Sequence, residues 1–446
     1  MQSRNKILIA IKPKNRDMKE RIISLDVLRG ITIIMMVLVN NPGSWGNIFA
    51  PLEHAEWNGC TPTDLVFPFF IFILGAAIPL AIVTKVLNQQ TFLKILTRSL
   101  RIICLGLFLG FYGKIEIFNL EGFPLLISKL IITGIAAYIL LGNFEQKIKF
   151  YLVLTLFSIF IFLAFSGIET YREVRLPGVL QRIGIVYFFT SLVYLKTEIK
   201  GQIAIAAILL LGYWAIMTLL PVPGFGPANL EKGTNLAAWL DHLLLENHLY
   251  SATKTWDPEG ILSTIPAIAN GIVGLLVGQL LNSGLAKKDK FTKMFYTGFA
   301  LVILGLIWNA FFPMNKSLWS SSFVLYTAGF ATLFLAIFYY VIDIKGYKNW
   351  TTPLLFWGVN PMIVFFLSGI LPRVLSSIKV ANPAYNLGNL EEIPEQIGLQ
   401  EYLNKFCILP YFENPKVASL MWALLNITFW SLVLWYFYKK KLFFKV

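Results

Sequence analysis

The sequence predicts an all-α membrane protein, a polytopic bundle of about twelve transmembrane helices with both termini in the cytoplasm. The chain has 446 residues, of which 57% are hydrophobic and only 14% are charged, whereas a soluble protein usually has about 25% charged residues. Apolar runs of about 20 residues, the length that crosses a bilayer, recur along the whole chain. This composition excludes a soluble enzyme, a disulfide-rich scaffold and a disordered chain.

The predicted spans follow one another with short connections. They lie at roughly 22–41, 63–84, 100–118, 123–141, 150–167, 178–195, 202–221, 260–282, 294–312, 321–342, 353–371 and 417–438. Prolines and a glycine inside these segments predict kinks or close helix contacts, at Pro68, Gly75, Pro79 and Pro361.

The charge pattern indicates how the chain is oriented. The net charge of +14 would suggest nucleic-acid binding in a soluble domain. Here the basic residues cluster in connections that an even number of spans places on the side of the N-terminus, such as Lys287, Lys288 and Lys345, and in the C-terminal Lys439, Lys440 and Lys441. Because cytoplasmic loops retain lysine and arginine, this pattern places both ends inside and favours no nucleic-acid partner.

We divide the chain into a basic cytoplasmic segment, residues 1–21, and a single transmembrane domain, residues 22–446. Two long outer loops, 222–259 and 372–416, then lie on the side opposite the termini. The cysteines Cys60, Cys104 and Cys407 stand far apart, so neither a disulfide framework nor a metal site follows from them.

The densest group of polar residues lies near the start of the chain. Asp26, Arg29 and Asn40 fall in or next to the first span, and His54 follows in the outer loop, with Asp64 opening the second span. Polar residues in a span are costly, so each is a functional candidate. A single loop histidine is often an ordinary surface residue, and composition alone leaves an enzyme and a transporter both open.

Longer motifs favour an enzyme. The stretch SLDVLRG (Ser24 to Gly30), followed by HAEWNGCTPTDLVFPFFIFILG (His54 to Gly75), resembles the heparan-α-glucosaminide N-acetyltransferase family of transmembrane acyltransferases. Three later blocks agree in the same order: RLPGVLQRIGIVYF (Arg175 to Phe188), DHLLLENHLYSATKTWDPEGILSTI (Asp241 to Ile265) and NKSLWSSSFVLYTAGF (Asn315 to Phe330). The resemblance covers most of residues 21–446.

The resemblance implies an acetyl-CoA-dependent N-acetyltransferase. Such an enzyme moves acetyl from cytoplasmic acetyl-CoA to the terminal glucosamine amine of a heparan-sulfate-type glycan on the other side of the membrane. The active-site histidine of the family matches His54, inside a catalytic block at 22–84. A family asparagine matches Asn40, with Asn41 as the adjacent alternative.

Two departures from the animal enzymes leave the acceptor open. The sequence lacks their large luminal domain, and residues 119–170 look like an inserted helical hairpin. We therefore expect a bacterial-type member in the inner membrane, with its acceptor in the periplasm.

The chemistry assigns roles to several side chains. Imidazole, which titrates near pH 6.5, can accept the proton of the amine or can itself attack the thioester. We favour direct transfer slightly, because a thioester is already activated. Asn40 or Asn58 could donate a hydrogen bond to the oxyanion. Since arginine binds phosphate through two donors, we expect Arg29, Arg98 and Arg101 at the CoA phosphates.

The remaining candidates support the site from outer segments. Arg182 lies inside the sixth span and must be paired or face a polar cavity, with Asp64, Asp257 and Glu259 as candidate partners. Trp57 could pack on a sugar ring or on the pantetheine arm. His248 belongs to a family-like triplet, whereas His242 is expected at the surface.

Two alternatives remain for the function. One is an O-acyltransferase that modifies a hydroxyl of a glycan or lipid, and the other is a sugar or lipid transporter that forms no bond. The expected partners are acetyl-CoA, an amino-sugar or glycan acceptor and membrane lipids. A homodimer stays open, and no metal is expected.

Overall fold

The structure, a computed structural model, describes residues 21–82, 84–387 and 394–444. The predicted cytoplasmic segment 1–21 therefore lies, except for Arg21, outside the described residues. The described part contains the helices α1 (Ile23–Asn40), α2 (Val66–Ala81), α3 (Gln89–Tyr112), α4 (Gly122–Leu141), α5 (Gln146–Ala164), α6 (Val179–Lys196), α7 (Ile199–Leu219), α8 (Leu236–Leu245), α9 (Thr264–Asn282), α10 (Lys287–Trp308), α11 (Ser321–Phe338), α12 (Thr352–Val359), α13 (Pro361–Ser377), α14 (Leu399–Tyr402) and α15 (Pro415–Lys439).

Short elements complete the fold. Single 3-10 turns lie at Ala50–Leu52, Pro62–Leu65, Glu169–Tyr171, Pro383–Leu387 and Leu409–Tyr411, and π-helical segments lie at Tyr339–Ile344 and Leu403–Ile408. The strands β1 (Lys379–Ala381) and β2 (Gln396–Gly398) form one antiparallel ribbon.

The described helices confirm the predicted all-α membrane bundle. Ten of them are long and apolar enough to cross a membrane, and α12 with α13 forms an eleventh span that is bent by 79°. The protein is therefore an integral membrane protein. The hairpin of α4 and α5 occupies the predicted segment 119–170, and only 22% and 17% of these two spans are buried. Both helices thus present most of their surface to lipid.

Helix α3 differs most from the sequence-based prediction. We expected a span at 100–118, but α3 begins at Gln89 and has 24 residues, which is about 36 Å of helix. Arg98 and Arg101 consequently lie inside the helix and not at its cytoplasmic end. Both side chains find partners within the bundle, since Arg98 lies 4.6 Å from the ring centre of Tyr187 and Arg101 Nε donates to the carbonyl of Leu140.

Two helix pairs approach closely enough that their backbones touch. A Cβ atom on Gly75 of α2 would collide with the carbonyl of Gly271 in α9, and one on Gly30 of α1 would collide with the carbonyl of Leu354 in α12. Small residues permit this contact in membrane bundles, where packing replaces the hydrophobic effect between helices. The predicted close contact at Gly75 is confirmed.

The break between α12 and α13 falls at Asn360 and Pro361, where the sequence predicts a kink. Asn360 is fully buried and uses its amide to hold the C-terminal residues. Its Nδ2 donates to the carbonyl of Leu442 at 3.1 Å, and its Oδ1 accepts from the backbone N–H of Phe444 at 2.9 Å. These bonds satisfy polar groups that a broken helix would otherwise expose to lipid.

The outer segments also refine the prediction. Helix α8 lies inside the predicted loop 222–259, and α13 continues to Ser377, so the first six residues of the predicted loop 372–416 are still helical. The end of α1, the first turns of α2, α6 and α13, and the connections that carry His54, Arg175, Tyr250, Glu259 and Lys316 surround the cavity described below.

Candidate functional site

A short helix holds the first polar residue of the site in place. Pro62–Leu65 forms a 3-10 helix with Thr61 at its N-cap and Asp64 at its third position. The Asp64 carboxylate accepts from the backbone N–H groups of Thr61 and Ala55, both at 3.0 Å, through Oδ2. A carboxylate is favoured there because the N–H groups of a helix N-terminus point toward it. Asp64 is almost completely buried, so its orientation is set by these bonds.

The second oxygen of this carboxylate binds His54. Asp64 Oδ1 lies 2.7 Å from His54 Nδ1, while the His54 side chain is 52% exposed and Asp64 only 1% exposed. The carboxylate keeps the proton of the ring on Nδ1 and leaves Nε2 as the acceptor nitrogen. The structure thus brings two of the predicted site residues together as an acid–histidine pair.

A cavity of about 260 Å³ lies against His54, and Asn40 lines it. Met36, one turn earlier in α1, lines it as well. Asn41 instead turns back into its own helix, where its Nδ2 donates to the carbonyl of Val37 at 3.0 Å. The asparagine with a free approach to the cavity is therefore Asn40 and not Asn41.

The structure adds Lys316, which the sequence analysis did not single out. Its Nζ lies 3.1 Å from each ring nitrogen of His54 and 3.7 Å from Asp64 Oδ1. Burial lowers the pKa of Lys316, although the charges of Asp64 and Glu259 oppose that shift. Lys316 lies in the connection between α10 and α11, far from His54 in sequence, and only the tertiary fold brings them into contact.

Arg175 is the second residue that the sequence analysis missed. Its guanidinium binds Asp257 at 2.7 Å through Nε, and it also binds Glu259. Its carbon centre lies 4.5 Å from the ring of Tyr250. Burial alone would lower the pKa of Arg175, but hydrogen bonds and charges of the two carboxylates raise it above its ordinary value. Arg175 therefore stays charged at the cavity wall.

The predicted partners of Arg182 are corrected. Arg182 is fully buried, but it donates to the carbonyl of Gly260 at 3.2 Å and to the hydroxyl of Ser263. Arg175, in the connection before α6, binds Asp257 and Glu259 instead, and Asp64 pairs with His54. Arg182 also lies 5.0 Å from the ring of Trp319. Its role in the structure is to hold the start of α9 against α6 and α11.

Asp241 of α8 fastens the connection that carries Asp257 and Glu259. Its carboxylate accepts from the backbone N–H of Ile261 at 2.8 Å and from that of Asp257 at 3.3 Å. Burial raises the pKa of Asp241 to about 6, although these hydrogen bonds act in the opposite direction. In the sequence, Asp241 stands out only as the first residue of a matched block, and this structural role was not predicted.

The other predicted supporting residues hold loops together. Trp57 Nε1 donates to the carbonyl of Leu230 at 3.1 Å, so this indole links the His54 loop to the predicted outer loop 222–259. Asn58 accepts from Asn315 at 3.3 Å and so connects the loop to the residue before Lys316. Asn40 lines the cavity at His54 and Asn58 does not, so Asn40 is the better donor to a reaction centre.

The two remaining histidines lie away from His54. His248 is buried, and its Nδ1 lies 2.8 Å from the carbonyl of Val174, which anchors the segment before Arg175. His242 is exposed, as the sequence predicts. No cluster of three or more His, Cys, Asp or Glu residues with metal-site geometry occurs in 21–82, 84–387 and 394–444.

The three predicted phosphate-binding arginines form a separate group. Arg29 pairs with Asp26 at 2.7 Å and donates to the carbonyl of Gly358 at 3.2 Å. The charge of Arg98 acts on both Arg29 and Arg101, so the three side chains share one neighbourhood. Within the described chain, none of them lines the cavity at His54.

One signal could have pointed to Lys316 and Arg175 in advance. Both are basic residues in outer connections, where the positive-inside bias disfavours lysine and arginine. Both also stand at or next to the start of a block that matches the family. A basic residue on the wrong side of the membrane within a matched block is therefore worth treating as a site candidate.

Comparison with known proteins identifies one matching family and two curated relatives. Residues 21–220 match a family described as a domain of unknown function (DUF5009). The chain is 27% identical to mouse heparan-alpha-glucosaminide N-acetyltransferase over 97% of its own length and 61% of that protein. It is 30% identical to the human protein of the same name over 77% of its own length and 52% of that protein.

The chain thus spans between about half and three-fifths of the length of the curated relatives it matches. The similarity to both relatives covers most of this chain. The chain is a distant relative of the heparan-alpha-glucosaminide N-acetyltransferases.

Proposed function

We propose that the protein is a transmembrane acetyltransferase that moves an acetyl group from acetyl-CoA to the amine of a glucosamine-type sugar. The donor enters from the cytoplasm and the acceptor binds on the opposite side, where the His54 cavity opens. The names of the two relatives support the acetyl donor and the amino-sugar acceptor. The observation that carries the proposal is the pair of His54 and Asp64, 2.7 Å apart, at the wall of a cavity that Asn40 also lines.

The pair supplies a general base. The amine of the acceptor attacks the thioester carbon, and His54 Nε2 takes a proton from the nitrogen as the carbon–nitrogen bond forms. Asp64 holds Nδ1–H and stabilises the imidazolium that results, in the manner of the aspartate in a serine-protease triad. The carbon–sulfur bond then breaks, and the imidazolium returns the proton to the leaving thiolate of CoA. Atoms and charge balance without a further reactant.

Asn40 supplies the complementary donor. Negative charge develops on the carbonyl oxygen of the acetyl group when the amine adds. An amide N–H aimed at that oxygen stabilises the transition state by about 3 kcal/mol, the value typical of a single oxyanion donor. Asn40 lies at the end of α1 on the same cavity wall that His54 reaches.

Helix α1 also offers a path for the donor. Arg29, Ile33, Met36 and Asn40 follow one another at spacings of four, three and four residues, so they share one face of the helix. Arg29 and Asn40 are separated by roughly 16 Å along the axis. An extended pantetheine arm covers a distance of this order. The phosphates would then lie near Arg29 and Arg98, with the thioester at Asn40.

The acceptor side follows from the charge pattern of the loops. The His54 cavity belongs to the side opposite the basic connections, which in a two-membrane bacterium is the periplasm. The transfer to an amine is preferred over transfer to a hydroxyl because a base near neutral pH readily accepts the proton of an ammonium, whereas a hydroxyl must be deprotonated from a far higher pKa. The experiment below therefore also offers an acceptor that has hydroxyls but no free amine.

The direct test is acetyl transfer by the purified protein in detergent. Radiolabelled acetyl-CoA is offered with glucosamine, with N-acetylglucosamine, which has hydroxyls but no free amine, and with an amino-sugar oligosaccharide. We expect label only in the two amines. Label in N-acetylglucosamine would replace the proposal by an O-acyltransferase, and no transfer together with no thermal stabilisation by CoA would favour a transporter.

The substitution His54→Ala assigns the base. We expect transfer to fall by 10²- to 10⁴-fold, the typical contribution of a general base, while CoA still raises the unfolding temperature. His242→Ala is the matched control, because this exposed histidine lies away from the cavity, and it should keep full activity. A His54→Ala variant that retains about a tenth of the activity would remove His54 from the reaction.

A covalent route through acetyl-His54 uses the same residues. Incubation with acetyl-CoA without acceptor, followed by acid quench and mass spectrometry of the peptide that contains His54, separates the two routes. We expect no acetylated peptide, because the thioester is already activated for direct attack. A stoichiometric acetyl adduct on His54 would establish the two-step route instead.

A further inference from the structure

Lys316 occupies a position that the proposed reaction does not explain. Its Nζ is 3.1 Å from both Nδ1 and Nε2 of His54. An atom equally close to both ring nitrogens lies over the face of the imidazole and not in its plane, where the Nε2 lone pair points. Lys316 therefore contacts the ring from its face, while Nδ1 pairs with Asp64 at 2.7 Å and the in-plane lone pair of Nε2 stays open to the acceptor amine.

The surroundings make the charge of Lys316 consequential. Asp64 is an almost fully buried carboxylate in contact with His54, and a neighbouring negative charge favours the protonated imidazolium. Glu259 adds a second carboxylate whose charge reaches Lys316. An imidazolium has no lone pair and cannot act as a base. A site with these carboxylates alone would thus hold His54 in its unreactive form.

The ionisable groups around His54 come from several elements. Asp64 lies in the 3-10 helix after the His54 loop, Lys316 precedes α11, and Glu259 precedes α9. Arg175 and Tyr250 line the same cavity, and Cys60 lies near Asp64 and Lys316. Glu53 and Glu56 flank His54 in sequence, but both are exposed. Of these groups, Lys316 is the cation that touches the ring.

We propose that Lys316 is a positioning residue that keeps His54 neutral and its Nε2 nitrogen available to the acceptor amine. The ammonium opposes the charge of Asp64 at the imidazole ring, so that the ring takes up a proton only during the reaction. Asp64 then orients the ring without protonating it in advance. This inference rests on the proposed function for its kinetic consequence, but its structural part is testable without any enzymatic activity.

Lys316 also reaches the carboxylate that orients the ring. Its Nζ is 3.7 Å from Asp64 Oδ1, so the two side chains already form an ion pair. The ammonium can therefore oppose the charge of Asp64 without occupying the Nε2 lone pair that the acceptor amine needs.

The test measures the protonation of His54 directly. Diethyl pyrocarbonate reacts with neutral imidazole and not with imidazolium, and mass spectrometry quantifies the modified peptide. The rate is recorded from pH 5 to 9 for the wild type and for Lys316→Met. We expect the pH at which His54 reacts at half its maximal rate (its midpoint) to rise by about one unit in Lys316→Met, because a neighbouring cation is lost. The acidic limb of kcat/KM should move in the same direction.

Three further variants and one internal reporter make the result specific. Lys316→Arg keeps the charge and should leave the midpoint within about 0.3 pH units of the wild type, a much smaller change than loss of a neighbouring charge produces. Lys416→Met removes an exposed lysine on the same side of the membrane and should have no effect. The exposed His242 reports in every sample that the reagent and pH scale are unchanged. Lys316→Gln replaces the methionine variant if the latter does not fold, as judged by gel filtration.

Two results would overturn the inference. One is a His54 midpoint in Lys316→Met that stays at the wild-type value or moves to lower pH. The other is an equal upward shift in Lys316→Arg, because the charge would then not be the cause. A shifted midpoint in a protein that transfers no acetyl group would refute the proposed function and leave the role of Lys316 intact. Acetyl transfer by the wild type together with an unshifted midpoint in Lys316→Met would support the proposed function and refute the role of Lys316.

Discussion

At the scale of single residues, the site depends on which face of a helix end each side chain occupies. Asn40 and Asn41 are chemically identical neighbours at the end of α1. Asn40 lines the cavity of His54, whereas Asn41 is buried and donates to the carbonyl of Val37 in the last turn of the helix. The same type of side chain thus lines the cavity in one position and caps the helix end in the other.

We expect Asn40→Ala to lower kcat about 10²-fold with little change in the affinity for acetyl-CoA, since an oxyanion donor acts mainly in the transition state. Steady-state kinetics with labelled acetyl-CoA, together with CoA binding, provides the measurement. Asn41→Ala is the matched control and should lower stability by about 1 kcal/mol through the lost hydrogen bond, with kcat nearly unchanged. Equal kinetic losses in the two variants would contradict the assignment.

At the scale of elements, α8 controls the connection that presents Glu259 to Arg175. Asp241 in α8 accepts from the backbone of Asp257 and Ile261, and it lies so close to Gly260 that a Cβ atom there would collide with its carboxylate. Gly260 is required at this point for that reason. A single buried carboxylate therefore shapes the segment between the second outer loop and α9.

The pH dependence of the free energy of unfolding should show the titration of Asp241. Burial raises the pKa of Asp241 to about 6, while an unfolded aspartate titrates near 4. The folded state therefore holds the proton more tightly, and the resulting stabilisation is complete below about pH 4 and is lost as the pH rises through 6. The change amounts to at most about 3 kcal/mol.

Thermal unfolding in detergent between pH 4 and 7 measures this effect. The wild type should lose stability across the interval relative to Asp241→Asn, which has no carboxyl to titrate. Asp289→Asn, at an exposed aspartate in α10, is the matched control and should follow the wild type. Parallel curves for the wild type and Asp241→Asn would show that Asp241 is charged in both states.

At the scale of the whole molecule, sidedness decides the direction of transfer. The topology that we predict from the charge pattern, in which α3 also crosses the membrane, puts the connection between α9 and α10 on the side where α1 begins and puts the His54 loop on the other side. Two exposed positions report these sides, Lys288 and Ser251. Cytoplasmic acetyl-CoA and an external acceptor require that they face different compartments.

We expect a membrane-impermeant maleimide to label Ser251→Cys but not Lys288→Cys in intact cells or spheroplasts. The background lacks the partly exposed Cys60 and the exposed Cys407, each replaced by serine, because both would otherwise react. Permeabilised cells are the control and should label both positions. Labelling of Lys288→Cys alone in intact cells would reverse the topology and the proposed direction of transfer.

The sequence by itself determined the membrane class, the order of the helices and the importance of His54. Hydropathy is a property of a window of about 20 residues, so each predicted span corresponds to helix in the structure without knowledge of its neighbours. The prediction from hydropathy placed the start of α3 too late, because a window average cannot recognise that Arg98 and Arg101 find partners on α6 and α4. The matched blocks likewise indicated His54 and Asn40 from short stretches of chain.

The tertiary structure alone decided which side chains meet. Lys316 and His54 are 262 residues apart in sequence, and Arg175 rather than Arg182 binds Asp257 and Glu259. A contact of this kind depends on how helices pack and on the angle at which each side chain leaves its backbone, and neither quantity is encoded in a local pattern. The sequence therefore singles out His54, which we propose as the base, whereas the fold shows that Asp64 and Lys316 contact its ring.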